Sequence, residues 1–163
     1  MLIGAGIALA VSVAGLGGYT AFQRQDREEA ALAQRQKDVA VKGSSVMPFD
    51  LAETTHTFTD RTDGGVQTVT ANDPADSRNI KLIQSHLREE QAKFARGEFT
   101  DPAAIHGADM PGLADLKAGA ARIRVRYTPL ADGARLTYAT TEPRLVAALH
   151  AWFAAQTMDH GHE

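Results

Sequence analysis

The chain has no cysteine, one tryptophan and six prolines in 163 residues. Without cysteine it can hold no disulfide framework, no thiolate zinc site, no iron–sulfur cluster and no thiol nucleophile. A basic excess is missing too. Lys+Arg number 17 against 20 Asp+Glu, a formal net charge of −3. That balance speaks against nucleic-acid binding, whose usual footprint is a basic stripe or a high pI. The sequence also lacks a serine-hydrolase elbow, a P-loop, a dinucleotide fingerprint and an HExxH helix. Soft or borderline metal chemistry therefore falls on six histidines and four methionines.

The 44% apolar content is unevenly spread and is densest at the N-terminus. Residues 2–22 carry no charge and are almost all small or aliphatic. At about 1.5 Å rise per residue such a segment spans a ~30 Å hydrocarbon core. Gly4, Gly6, Gly15, Gly17 and Gly18 lower its helix propensity, which membrane helices tolerate. It reads first as a transmembrane anchor, next as a cleaved signal ending near Ser12-Val13-Ala14, and last as a buried helix of a soluble fold. The first two readings export the remainder, tethered to the inner membrane and facing the periplasm or released there. Arg24 and Arg27 pull the other way under the positive-inside rule.

Residues 23–45 form a polar stalk rich in Gln, Ala, Glu, Arg and Lys, all good helix formers. Gly43-Ser44-Ser45 is expected to break it. The folded domain is expected over residues 46–157, followed by a histidine-containing tail, 158–163. From Val46 onward there are 12 basic and 16 acidic residues, a balance of −4.

Within the domain the sequence matches itself at a shift of 69 residues. Phe58 falls on Tyr127, Asp63-Gly64 on Asp132-Gly133, Asp73-Pro74 on Glu142-Pro143, and Ile83 on Trp152, with no gap. Each half reads strand, turn, strand, helix. Asp63-Gly64 and Asp132-Gly133 are expected to supply positive φ at hairpin turns. Ile123-Arg124-Val125-Arg126-Tyr127 alternates apolar with basic. Asn72 or Asp73 is expected to cap the first long helix, with Pro74 in its first turn, and Thr141 the last, with Pro143 in its first turn. Ile80, Ile83, Leu87 and Phe94 form one helical stripe, and Leu145, Leu149, Trp152 and Phe153 another. The expected fold is α+β: a four-stranded antiparallel sheet with two long helices on one face, a two-layer sandwich. The other sheet face is left for solvent or a protein partner. Residues 99–119 form an insert between the halves, expected as a loop and one short helix.

Candidate metal ligands follow from residue type. His106 precedes glycine and Met110 precedes Pro-Gly in the insert, an imidazole and a thioether suited to a soft ion. His56 sits where the other half has Val125, a polar residue at a core-type position. His86 and His150 flank the two apolar helix stripes. His160 and His162 make a His-x-His pair in the tail. Copper and zinc are the candidate ions. Paired carboxylates for acid–base work, among Asp101, Asp109, Asp115, Glu89 and Glu90, carry a weaker enzymatic reading.

Four strings carry a resemblance: Pro48-Phe49-Asp50-Leu51 with Thr54-Thr55-His56 and Phe58; His86-Leu87-Arg88-Glu89-Glu90; Asp101 to Leu113; and His150 with Trp152-Phe153. Over residues 47–161 the chain resembles a group of small exported bacterial proteins, some of which carry the label aspartate carbamoyltransferase. The chain lacks the Ser-Thr-Arg-Thr phosphate loop of that enzyme family and is about half the length of such a catalytic subunit. The resemblance implies export and one domain, not an activity. The expected function is an exported, membrane-tethered binding or accessory module for a soft or borderline metal ion. A ligand-free structural interaction module is the alternative, and a small enzyme the third reading.

Overall fold

A computed structural model describes residues 14–160 of the chain. Its elements run α1 (Ala14–Val46), β1 (Thr54–Arg61), β2 (Gly64–Ala71), α2 (Ser77–Phe94), α3 (Thr100–His106), α4 (Leu113–Gly119), β3 (Arg124–Pro129), β4 (Gly133–Ala139) and α5 (Pro143–His160). The four strands form one antiparallel sheet in the order β1-β2-β4-β3. The class is therefore α+β, with five helices among the described residues. Contacts divide the chain into one unit ending at Gln34 and a second beginning at Arg35. The second holds the sheet and α2 to α5.

The apolar segment 2–22 lies largely outside the described residues. Among those described, no helix is long and apolar enough to cross a membrane.

Strand alternation decides the layers. His56, Phe58, Val69, Gln67, Leu136, Ala134, Tyr138, Val125 and Tyr127 share one face through the pairings His56↔Val69, Phe58↔Gln67 and Tyr127↔Leu136. Against that face lie the stripes of α2 and α5. Ile83, Leu87 and Phe94 from α2, and Leu145, Leu149, Trp152 and Phe153 from α5, are all buried. Trp152 is fully enclosed, edge-on to Phe94, Phe99 and Tyr138 at centroid distances of 5.8, 5.6 and 5.9 Å. These edge-to-face contacts add to the burial of the indole itself.

Several local expectations differ from what is found. α1 runs straight through Gly43-Ser44-Ser45 to Val46. The two serine hydroxyls donate to carbonyls three residues back, Val41 and Lys42, and so stay compatible with the helix. Helix α2 starts later than expected: Asp76 caps it by accepting from the N–H groups of Arg78 and Asn79, while Asp73 closes the turn before it. α5 does begin at Pro143, but Thr140 rather than Thr141 accepts from the Glu142 N–H. The insert contains two short helices, not one, because α3 takes up Asp101 to His106. Gly64 has φ 146°, whereas Gly133 has no positive φ. Gly133 is needed for approach: a Cβ there would collide with the Val69 carbonyl of β2.

Truncation of the central indole, Trp152→Ala, is expected to cost about 3–5 kcal/mol of unfolding free energy. Urea denaturation of the two proteins measures it. A loss under about 1 kcal/mol would mean that the aromatic cluster does not carry the core.

Candidate functional site

One cavity of about 30 Å³ lies between the sheet, α2, α3 and the last turn of α5. It has room for on the order of one or two water molecules. Four of the six histidines line it: His56 from β1, His86 from α2, His106 at the end of α3, and His160 at the end of α5. Glu90, Gln67 and Gln156 line it as well, with Leu87, Phe94, Ile105 and Trp152 as apolar wall.

Helical periodicity explains the convergence. His86 and Glu90 stand one turn apart on the buried side of α2, and Trp152, Gln156 and His160 climb α5 at intervals of four. His56 points inward because strand alternation places it with Phe58 and Thr54. The His56 and His160 rings are stacked at 5.5 Å and 10°, and His106 meets His160 edge-on at 5.1 Å. The Phe49 ring lies 5.8 Å from His56 and 5.7 Å from His86.

Burial keeps these imidazoles neutral. Desolvation, reinforced by the neighbouring His160, His86 and His106, lowers His56 to about 3. Desolvation and His106 lower His160 to about 4. His86 is lowered mainly by desolvation. His106 is lowered by desolvation against the opposing pull of Asp159. A neutral imidazole keeps one nitrogen lone pair free for a metal or a proton.

His106 has an orienting partner. Its Nδ1 lies 2.9 Å from Asp159 Oδ2, and both side chains are 2% exposed. Asp159 in turn accepts from Arg35 Nε and Nη2, the latter at 2.7 Å, and Arg35 Nη2 also donates to the His106 carbonyl at 3.1 Å. Burial works to raise the Asp159 pKa, but the hydrogen bonds from Arg35 and His106 outweigh it and hold the carboxylate below its ordinary value. With a carboxylate at Nδ1, the proton belongs on that nitrogen, and Nε2 is the free lone pair.

A second network backs the opposite wall. Lys93 Nζ donates to Glu90 at 2.8 Å and to Asp101 at 2.7 Å. Burial pushes Glu90 up to about 7, while Lys93 and Glu90 together keep Asp101 below its ordinary value despite partial burial. Glu90 is thus the member that holds a proton near neutrality. The Gln156 Nε2 and Trp152 Nε1 donors are buried without a partner among the described residues. Gln67 accepts at Oε1 from the Tyr138 hydroxyl at 2.9 Å.

The other sequence candidates lie elsewhere. Met110 is buried in the hydrophobic core. The His150 Nε2–H donates to the carbonyls of Arg61 (3.0 Å) and Gly64 (2.9 Å), pinning the β1–β2 hairpin to α5. His162 lies outside the described residues, whereas His160 belongs to α5 and not to a separate tail. Gln67, Gln156 and Arg35 were not singled out as site residues from sequence, Glu90 entered only among the carboxylates of the weaker enzymatic reading, and Asp159 only as a neighbour of the tail histidines. A signal existed for Glu90: it follows His86 by four and stands between Leu87 and Phe94 of the apolar stripe of α2. Among the described residues no group of three or more His, Asp or Glu side chains already stands ready to hold a metal ion. The four imidazoles surround a space and do not yet meet at a point.

Comparison with protein-family models, curated proteins and solved structures found no match.

The pH dependence of stability follows from these groups. Between pH 6.5 and the lowered folded values, the unfolded chain binds more histidine protons than the folded one, so stability falls with falling pH. Glu90 opposes this: its contribution is fully present below about 4.5 and is lost as pH rises through about 7. Four histidines outweigh one glutamate, so the melting temperature is expected to drop from pH 7 to pH 5. His56→Phe is expected to remove one proton, flattening the slope by about 1.4 kcal/mol per pH unit at its steepest. A slope unchanged in the variant would show that His56 is not held neutral.

Proposed function

We propose that the chain is an exported binding module that takes up one transition-metal ion in the histidine cavity, with zinc or copper(II) as the chemistry best suited to imidazole. One observation carries the reading: four neutral imidazoles from four separate elements line a space too small for an organic substrate. The 5.1 Å separation of His106 and His160 supports it, while His56, stacked on His160 at 5.5 Å, must turn before its in-plane lone pair can meet the same ion. Two rings on one tetrahedral ion, with metal–nitrogen bonds of about 2.0 Å, put their centroids on the order of 5 Å apart. Asp159 supports it as the outer carboxylate that fixes a ligand tautomer. Ion uptake then needs rotation of the remaining rings. The uncharged segment 2–22 supports export.

The repeat is part of the same proposal. The hairpin registers favour it: Arg61↔Gly64 corresponds to Leu130 and Gly133, joined by an N–H···O bond of 2.9 Å, and Thr57↔Thr68 corresponds to Arg126↔Thr137.

Calorimetric titration of the purified chain with Zn²⁺ and Cu²⁺ tests the function. One ion per chain is expected, with a rise in melting temperature. Deleting residues 161–163 is expected to leave the affinity unchanged, which separates the cavity from the His-x-His pair. His106→Asn is expected to weaken binding at least tenfold. Failure to bind either ion, or binding lost with residues 161–163 and unaffected by His106→Asn, would overturn the proposal.

A further inference from the structure

The sheet face turned away from α2 and α5 carries an unusual charge pattern. Alternation and register place Thr55, Thr57, Thr59 and Arg61 of β1 on it, with Val66, Thr68 and Thr70 of β2. β4 adds Arg135, Thr137 and Ala139, and β3 adds Arg124, Arg126 and Thr128. All four arginines are exposed. The face has no carboxylate and no aromatic side chain, although the domain as a whole carries four more acidic than basic residues.

Position makes the pattern costly. Arg126 pairs with Thr137, so Arg135, two residues along β4, is its diagonal neighbour at about 7–8 Å. Arg124 lies two residues from Arg126 on the same strand, at about 7 Å. Arg61 closes the row Arg61–Gly64–Ala139–Arg124, about 14 Å away across the sheet. Like charges at spacings of about 7–8 Å repel, while Arg61 adds to the field of the face chiefly at low salt. A carboxylate at Thr137 or Thr68 would relieve them, and none is there. Ion pairs are made elsewhere in the domain, by Arg96 with Glu98, Arg122 with Glu142 and Arg144 with Asp115.

We infer that this face is a docking surface for an acidic protein segment, one that supplies carboxylates to the four unspent guanidinium groups. Arginine suits the task because its planar fork takes a carboxylate in two bonds and is weakly hydrated. Intervening threonine hydroxyls both donate and accept. A bilayer is a poorer fit. Among the described residues the exposed large apolar ones are Phe22, Leu32, Val41 and Met158, none of them on the sheet, so this face offers no exposed large apolar side chain to a membrane. Single-stranded nucleic acid is poorer too, since no ring is present to stack a base. The face measures about 14 by 20 Å. That is below the area of a permanent interface, so the contact is transient and salt-sensitive.

Fluorescence anisotropy of labelled poly-L-glutamate with the full chain tests the inference. Binding is expected at low salt and is expected to fall at least tenfold in the variant R61Q/R124Q/R126Q/R135Q. A charge-matched control, R27Q/K37Q/R78Q/K81Q, is expected to bind within about twofold of wild type. The sheet variant is expected to melt at or above the wild-type temperature, because repulsion is relieved, so its loss of binding is not a loss of fold. Three results would overturn the inference: no binding at low salt, equal losses in both variants, or a larger loss in the sheet variant of binding to phosphatidylglycerol vesicles or to a single-stranded oligonucleotide than of binding to polyglutamate. None of these arms involves the metal cavity, so the two proposals stand or fall separately.

Discussion

The geometry of the site depends on one buried carboxylate. Asp159 is 2% exposed, and a charge taken out of water to that extent persists only if it is paired and hydrogen-bonded. Its two oxygens take three hydrogen bonds from two residues, and three elements meet at them. Arg35 reaches in from α1, His106 from α3, and Asp159 itself sits in the last turn of α5. Satisfying this one group therefore fixes the C-terminal end of α5, the end of α3 and the C-terminal part of α1 against one another. The same bond chooses the His106 tautomer, so the constraint that closes the fold also leaves Nε2 as the free lone pair of a residue that lines the cavity.

The walls of that cavity divide the electrostatic work. On one side, desolvation holds His56 and His160 near 3 and 4, so they are donors and not cations throughout the neutral range. On the other, Glu90 shares the Lys93 ammonium with Asp101 and is pushed up to about 7. A cation entering among neutral imidazoles meets little repulsion and gains a nearby group able to surrender a proton. An anion gains no charge partner within the cavity lining, because Lys93 is already committed to two carboxylates. In the reading we propose, the charge of the lining favours a cation and a volume of about 30 Å³ suits a single ion.

The fold class, the strand faces and both helix stripes were legible because they are periodic, and period is what a sequence displays directly. The convergence of His56, His86, His106 and His160 was not, because it depends on where four elements end in space. His160 illustrates the difficulty. Among Met158, Asp159, Gly161 and His162 it reads as part of a polar tail, yet α5 continues through it, and it forms a cavity wall. Asp159 was hidden for the same reason, since its partner Arg35 lies 124 residues away on a helix that reads as a solvated stalk. The expected break at Gly43 failed because serines there bond to their own helix and Gly43 makes room for Leu51, whose Cδ1 lies 2.9 Å from where a Cβ would stand.

Under the repeat we propose, the two halves have diverged in a directed way. His56 and Gln67 in the first half stand where Val125 and Leu136 stand in the second, all four on the inner face of the sheet. His86 stands opposite Ala155. The β3–β4 half of the inner face therefore remains an apolar core, while the β1–β2 half has exchanged aliphatic side chains for donors. Such exchanges cost stability wherever a buried polar group lacks a partner. Gln67 repays it through Tyr138, and Asp159 through Arg35 and His106, whereas the Gln156 amide nitrogen finds no partner among the described residues. His56, Gln67 and His86 from the first half and Gln156 and His160 from the second meet on one cavity wall, so the cost of burying polar groups is gathered in one place, and the aromatic cluster around Trp152 beside it supplies the stability that this place gives up.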